Sequence, residues 1–141
     1  MGRAELDDFA YRILKLGGNK LMQQISLIKK TILITGAAGF IGSNLVLEIL
    51  KTQSQLTIIG IDNVNNYYDV SIKEWRLSEI QKCAEEHPDS TWTFIKGNIA
   101  DKLLIDSIFH DYKPDIVVNL AAQAGVRYSI SNPDVYIESN L

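Results

Sequence analysis

The sequence contains one cysteine, Cys83, which excludes an internal disulfide framework and cannot build a metal site by itself. It falls in a stretch that reads as helix, residues 71–86, where a packed or surface thiol is a plainer assignment than a nucleophile. Charge of one sign is lacking too. Fourteen Lys and Arg stand interspersed with seventeen Asp and Glu, for a net charge of −3, so the footprint of a nucleic-acid binder is absent. No apolar run approaches the roughly 18 residues of a membrane span, and no signal-peptide pattern opens the chain, so the expected location is the cytoplasm. There is no internal repeat and no low-complexity tract. Prolines are few: Pro88, Pro114 and Pro133 all stand at segment boundaries, which leaves the segments between them uninterrupted. What remains is a chain of single-domain length, 141 residues with 46% hydrophobic side chains, enough for a core.

One stretch organises the rest. Thr31-Ile32-Leu33-Ile34-Thr35 is a short β-branched, apolar run that stops at Gly36; Gly39 and Gly42 follow at steps of three, and a helical pattern begins. Gly36 would let the chain leave a strand with dihedrals that a Cβ forbids. Gly39 would let backbone amides approach a pyrophosphate, and Gly42 would let the helix lie close on the sheet. The positive end of the helix then favours an anion. Such a triplet alone is weak evidence, because any tight strand-to-helix turn needs small residues. Its context is stronger: Ile41, Leu45 and Ile49, with Val46 and Leu50, recur on one helical face. A second apolar strand, Leu56-Thr57-Ile58-Ile59-Gly60-Ile61, ends in Asp62, about twenty residues past the last glycine, where an acidic side chain holds an adenosine ribose.

Residues 1–29 stand outside this alternation. Leu6, Phe9, Ala10, Ile13 and Leu14 predict an amphipathic helix over residues 4–16, ended by Gly17-Gly18-Asn19. The extension reads as an extended start, a tag or a packing arm. Tyr11 and Lys15 have a Tyr-x-x-x-Lys spacing, but they precede the first strand, so the match is a coincidence. Beyond Asp62, a polar and aromatic loop runs from Asn63 through Tyr67-Tyr68-Asp69. Ser71 and Glu74 are expected to form a capping box, on a helix that turns Ile72, Trp75, Leu77, Ile80 and Cys83 or Ala84 to the sheet. Trp92-Thr93-Phe94-Ile95-Lys96 is the third strand. Asp101 opens a third helix to about Tyr112, with Leu104, Ile105, Ile108 and Phe109 inward. Ile116-Val117-Val118-Asn119-Leu120 is apolar enough to be a fourth strand buried on both faces. Ala121-Ala122 then makes a small-residue turn, and Asn132-Pro133 starts a last helix. The alternation predicts an α/β fold, a Rossmann-like doubly wound parallel sheet, partial, in the order 3-2-1-4.

Over residues 30–141 the chain resembles the extended short-chain dehydrogenase/reductase superfamily of nucleotide-sugar epimerases and dehydratases. The residues that carry the resemblance are Thr35-Gly36-x-x-Gly39-Phe40-Ile41-Gly42 and Asn119-Leu120-Ala121-Ala122. Asp62-Asn63, Tyr67-Tyr68-Asp69, Lys73, Arg76-Leu77 and the run from Gln123 to Ser129, with Asn132-Pro133, Tyr136 and Asn140, are similar to its UDP-glucuronate 4-epimerase branch. A UDP-galactose-type epimerase or a nucleotide-sugar 4,6-dehydratase is the alternative within the class, and a non-catalytic NAD-binding module the alternative outside it.

The resemblance implies a tightly held NAD and a UDP-sugar oxidised at C4, turned over as the 4-keto sugar and reduced from the other face, with a tyrosine base beside a lysine. It assigns Gly36, Gly39, Phe40, Ile41 and Gly42 to the pyrophosphate, and Asp62 and Asn63 to the adenosine ribose. Asn98 and Ile99 fall to the adenine edge, Leu120, Ala121 and Ala122 to the path toward the nicotinamide, and Arg127 to a substrate carboxylate or phosphate. Lys73 is implied near the adenosine end. Asn98 replaces the family's usual Asp, and Asn119 its usual His. Asp62 fits NAD better than NADP, because its carboxylate repels a 2′-phosphate. Tyr67, Tyr68, Tyr112, Tyr128 and Tyr136 all lack a lysine four residues on. The catalytic Ser/Thr, the Tyr-x-x-x-Lys pair and the nucleotide-sugar domain are therefore expected beyond residue 141, with this chain inactive alone. A homodimer is the expected assembly.

Overall fold

The computed structural model describes residues 26–66, 69–122 and 134. The predicted helix at residues 4–16, Tyr67, Tyr68, Arg127, and the last helix apart from Asp134, lie outside the described residues.

Four strands, β1 (Thr31–Thr35), β2 (Thr57–Asp62), β3 (Thr91–Lys96) and β4 (Ile116–Asn119), alternate with α1 (Phe40–Thr52), α2 (Val70–Glu86) and α3 (Lys102–Tyr112). The sheet is parallel in the order β3-β2-β1-β4, as the alternation predicts. Period-two side chains sort the core into two layers. Ile32, Ile34 and Ile58 point to one face, where Val46 and Leu50 of α1 and Ile80 and Cys83 of α2 cover them. Leu33, Ile59 and Ile61 point to the other, under Ile108 of α3. Helices on both faces explain why β1 and β2 are apolar at nearly every position.

Several local expectations need correction. The cap of α2 is Asp69, whose carboxylate accepts the Ser71 amide at 2.9 Å, so Ser71 lies inside the helix. Asp and Ser are both good caps, and the one placed a residue before Val70 takes the orphan amide. Ile72 and Trp75 face outward, 42% and 62% exposed, while Lys73, Ile80 and Cys83 are the buried residues of α2. Ile41 is 66% exposed and Phe109 44%. In β4 only Ile116 and Val118 turn toward the core; Val117 is 47% exposed, so this strand is not buried on both faces. β4 has one neighbour among the described residues, and α3 leans over β1 and β2 instead.

The start of β4 is pinned to the start of β1. Asp115 accepts the Thr31 amide at 2.8 Å and the Lys30 ammonium at 3.1 Å. Those two bonds, the amide's first, hold its carboxyl below the ordinary carboxylate value of 3.8. A depressed folded-state pKa means the bonds contribute stability that is complete above about pH 4 and lost as pH falls through the lowered value. Asp115→Asn should therefore lower the urea midpoint at pH 6, and the gap from the parent should close as both are titrated toward pH 3.

Candidate functional site

All four strands end on one side of the molecule, and the residues that leave them enclose a groove of about 350 Å³. Gly36 begins it. Its φ is +69°, and a Cβ there would lie 2.8 Å from the carbonyl carbon and oxygen of Leu120. The chain thus leaves β1 in a conformation glycine adopts freely, directly against the exit from β4. Gly39 closes the turn, its amide donating to the Gly36 carbonyl at 3.0 Å, and caps α1 without any side-chain bond. The first turn of α1 therefore keeps unused amides toward the groove. Gly42 seats that turn: an added Cβ would stand 2.2 Å from the Gly36 oxygen.

Across the groove, Asp62 ends β2 with its carboxylate turned to the glycine bend. Oδ2 accepts the Ala38 amide at 3.1 Å and Oδ1 accepts the Val64 amide at 2.8 Å. The bend and the acid are thus one hydrogen-bonded unit, and Asp62 is 8% exposed. Lys73, 5% exposed on the first turn of α2, balances that charge, with Nζ 3.6 Å from Asp62 Oδ1 and 2.9 Å from Asn65 Oδ1, to which it donates. One turn on, Arg76 donates to the Ala38 carbonyl at 3.3 Å and lies over the Phe40 ring at 5.8 Å. The first half of α2 thus presents two cations to the bend.

The far wall is organised by Thr35, the residue paired with Asn119 in the β1–β4 ladder. Its hydroxyl donates to Asn119 Oδ1 at 2.5 Å and accepts the amides of Leu120 and Ala121, each at 3.0 Å. One side chain thereby sets the path of the Leu120-Ala121-Ala122 turn. The side-chain oxygen of Asn119 serves as the acceptor.

Each of Gly36, Gly39, Phe40, Ile41, Gly42, Asp62, Asn63, Asn98, Ile99, Leu120, Ala121 and Ala122 borders this one groove. Four strand exits far apart in sequence bring them together. Four bordering residues had no site role from periodicity, Ile61, Asn65, Lys73 and Gly97. The signal for Lys73 was its place at i−7 and i−10 from Ile80 and Cys83, which puts it on the buried stripe of α2. Cys83 itself is remote from the groove, and burial pushes its thiol up from the usual range. Among the described residues, no cluster of His, Cys, Asp and Glu could hold a metal, and no helix is long and apolar enough to cross a membrane.

Known proteins resemble this chain over most of its length. The family described as GDP-mannose 4,6 dehydratase matches residues 33–141. Protein CapI of Staphylococcus aureus is 48% identical over 110 residues, 78% of this chain and 30% of that protein. A UDP-glucuronate 4-epimerase of Thermodesulfobacterium geofontis is 39% identical, over 77% of this chain and 31% of its own. Among solved structures, a mutant UDP-glucuronic acid 4-epimerase of Bacillus cereus, in complex with UDP-4-deoxy-4-fluoro-glucuronic acid and NAD, superposes with a TM-score of 0.65 at 32% identity, covering 79% of this chain and 32% of that one. The chain thus spans about a third of the length of these relatives.

Proposed function

We propose, given that this chain belongs to the GDP-mannose 4,6 dehydratase family, that it is the NAD-binding portion of a nucleotide-sugar 4-epimerase, with UDP-glucuronate as the sugar. The observation that carries the reading is the bond between the Asp62 carboxylate and the Ala38 amide, which sets an acid directly beside the glycine bend on the wall of one open groove. A pyrophosphate needs amides with no Cβ in front of them, and a ribose diol needs a fixed carboxylate; the groove supplies both. The similar Bacillus cereus epimerase was solved with NAD and a UDP-sugar, which supports the same assignment.

In that role Gly36, Gly39 and Gly42 and the start of α1 hold the pyrophosphate. Asp62, with Asn63, holds the adenosine diol, and Asn98 and Ile99 line the adenine. The Thr35-pinned turn, Leu120 to Ala122, shields the far end from water. Bound NAD would supply a reversible hydride acceptor for C4 of the sugar. The proton of the 4-hydroxyl needs a base, and no tyrosine that follows β1 in this chain has a lysine four residues on. The 141-residue chain should therefore bind NAD and leave UDP-glucuronate unchanged. Arg127 is proposed to meet the sugar's carboxylate or the diphosphate in the whole enzyme.

A thermal-shift titration tests this. NAD at 100 times its dissociation constant should stabilise the chain by about 2.7 kcal/mol, a rise of several degrees, and NADP should give none at that concentration. No shift with NAD, or epimerised sugar from the chain alone, would sink the reading. A 4,6-dehydratase is the second reading, favoured by the description of the matching family. It uses the same groove, and the product formed by the whole enzyme separates the two.

A further inference from the structure

Asn98 stands at the end of the groove that β3 supplies, and its side chain is already committed in one direction. β3 neighbours β2, with Lys96 paired to Asp62, and the Gly97 amide donates to the Asp62 carbonyl at 3.0 Å. The exit Gly97-Asn98-Ile99 therefore flanks Asp62 on the side away from β1 and the glycine bend. Asn98 is held twice: its carbonyl accepts the Asp101 amide at 3.0 Å, and its Oδ1 accepts the Ala100 amide at 3.0 Å. Only the oxygen of a carboxamide can accept an N–H, so the second bond fixes which way the group is turned. The Nδ2 branch, which only donates, diverges from Oδ1 and has no partner among the described residues. Asn98 is exposed, and it borders the groove.

We infer that Asn98 meets the base of the dinucleotide as a hydrogen-bond donor, so that this end of the groove accepts adenine dinucleotides whose amine edge is blocked. The inference rests on the NAD reading above. With the glycine bend on the pyrophosphate and Asp62 on the ribose, the base has the β3 exit to lie against. Adenine carries an amine at C6, which donates, beside N1, which accepts. An NH2 group directed at that edge pairs with N1 and leaves the amine unread. A carboxylate at the same place would do the reverse, one oxygen keeping the Ala100 amide and the other accepting from the amine. Asn98 is thus a specificity-determining residue through what it does not recognise. Its exposure leaves room beyond the base edge for a substituent.

The probe is 1,N6-etheno-NAD, in which a two-carbon bridge joins N1 to the C6 nitrogen. It has no N–H on that edge and keeps one acceptor nitrogen there. Isothermal titration of the 141-residue chain with NAD and with etheno-NAD gives the affinity ratio for the parent, N98A and N98D. N98A reports the bulk of the bridge alone, because its side chain has no polar group. The parent ratio should match that of N98A within about threefold, since a donor finds an acceptor on either base. N98D should move the ratio toward NAD about 10-fold, the size of one hydrogen bond to a charged group. The added charge weakens both ligands, and the ratio cancels it. A thermal melt without nucleotide verifies that each variant is folded, and the comparison of parent with N98A stands even if N98D is not. A parent ratio displaced toward NAD from that of N98A, or one that N98D leaves in place, overturns the inference while leaving NAD binding intact. A parent chain that binds neither dinucleotide overturns the NAD reading itself, and this inference with it.

Discussion

Gly42→Ala should lower stability by about 3 kcal/mol, the upper end of what overpacking a well-filled site costs, and reduce NAD affinity on the order of 100-fold. The reason is what the new methyl would meet. It would stand 2.2 Å from the Gly36 carbonyl oxygen, 2.9 Å from the Gly36 carbonyl carbon and 3.0 Å from the Ala37 Cα. All three are backbone atoms, so no side chain can swing aside. The first turn of α1 must lift from the bend, and with it go the amides proposed to hold the pyrophosphate. Gly39→Ala makes the informative contrast, since its Cβ would lie 3.1 Å from the Gly36 oxygen and meet nothing else within 4 Å. That substitution should cost only about 1 kcal/mol, the penalty of alanine at an N-cap, well short of Gly42→Ala, and still weaken NAD by putting a methyl where the phosphate approaches. A melt and a titration on the two variants separate the structural glycine from the ligand-facing one. Equal loss of stability in both would show that the bend is only a turn.

The contrast marks what was legible in the sequence. Gly36, Gly42 and Asp62 stand at positions where a parallel α/β unit leaves little choice of residue. A positive φ, a close helix–strand approach and a strand exit at the switch region each ask for a particular chemistry, so spacing alone predicts their placement. The groove follows from that spacing because its parts are all strand exits. The wall built by Thr35 was not legible. It depends on the register that sets Thr35 beside Asn119, and a parallel ladder shifted by one residue would put a different side chain under the Leu120 and Ala121 amides.

The inward face of α2 departs from its apolar periodicity for a different reason. That periodicity draws Ile72 and Trp75 to the sheet, because hydrophobic residues are assumed to seek the core. The C-terminal half of α2 obeys, with Ile80 and Cys83 buried. Its first two turns overhang the groove instead of the sheet, and there the inward positions go to Lys73 and Arg76, which have a carboxylate and a carbonyl to meet. A charge can be interior only where its partner waits. That partner, Asp62, lies eleven residues earlier on another element, beyond any window of periodicity.

Asp62→Ala should be the most damaging substitution of a charged residue among those described, at about 3–5 kcal/mol, the cost of breaking one side of a buried ion pair. Two effects add. The Ala38 and Val64 amides lose their acceptor, and buried donors left without one are costly. Lys73, 6% exposed at its side chain, keeps Asn65 but loses the Asp62 carboxylate. The second effect can be isolated, because Lys73→Met removes the ammonium with a side chain of similar length. Asp62→Ala/Lys73→Met should accordingly be more stable than Asp62→Ala alone, recovering roughly half of the loss, since replacing both members of a buried pair is far milder than removing one. The remainder belongs to the two amides. Urea denaturation of the parent, both single variants and the double closes the cycle, and a coupling energy within about 0.5 kcal/mol of zero, the ordinary scatter for independent sites, would mean that the Lys73 charge is balanced by something other than Asp62. High salt offers a second discriminant. Screening is weak for a pair this enclosed, so the coupling should persist at about 1 M NaCl, where that of a surface pair such as Lys82 with Glu79 would be suppressed.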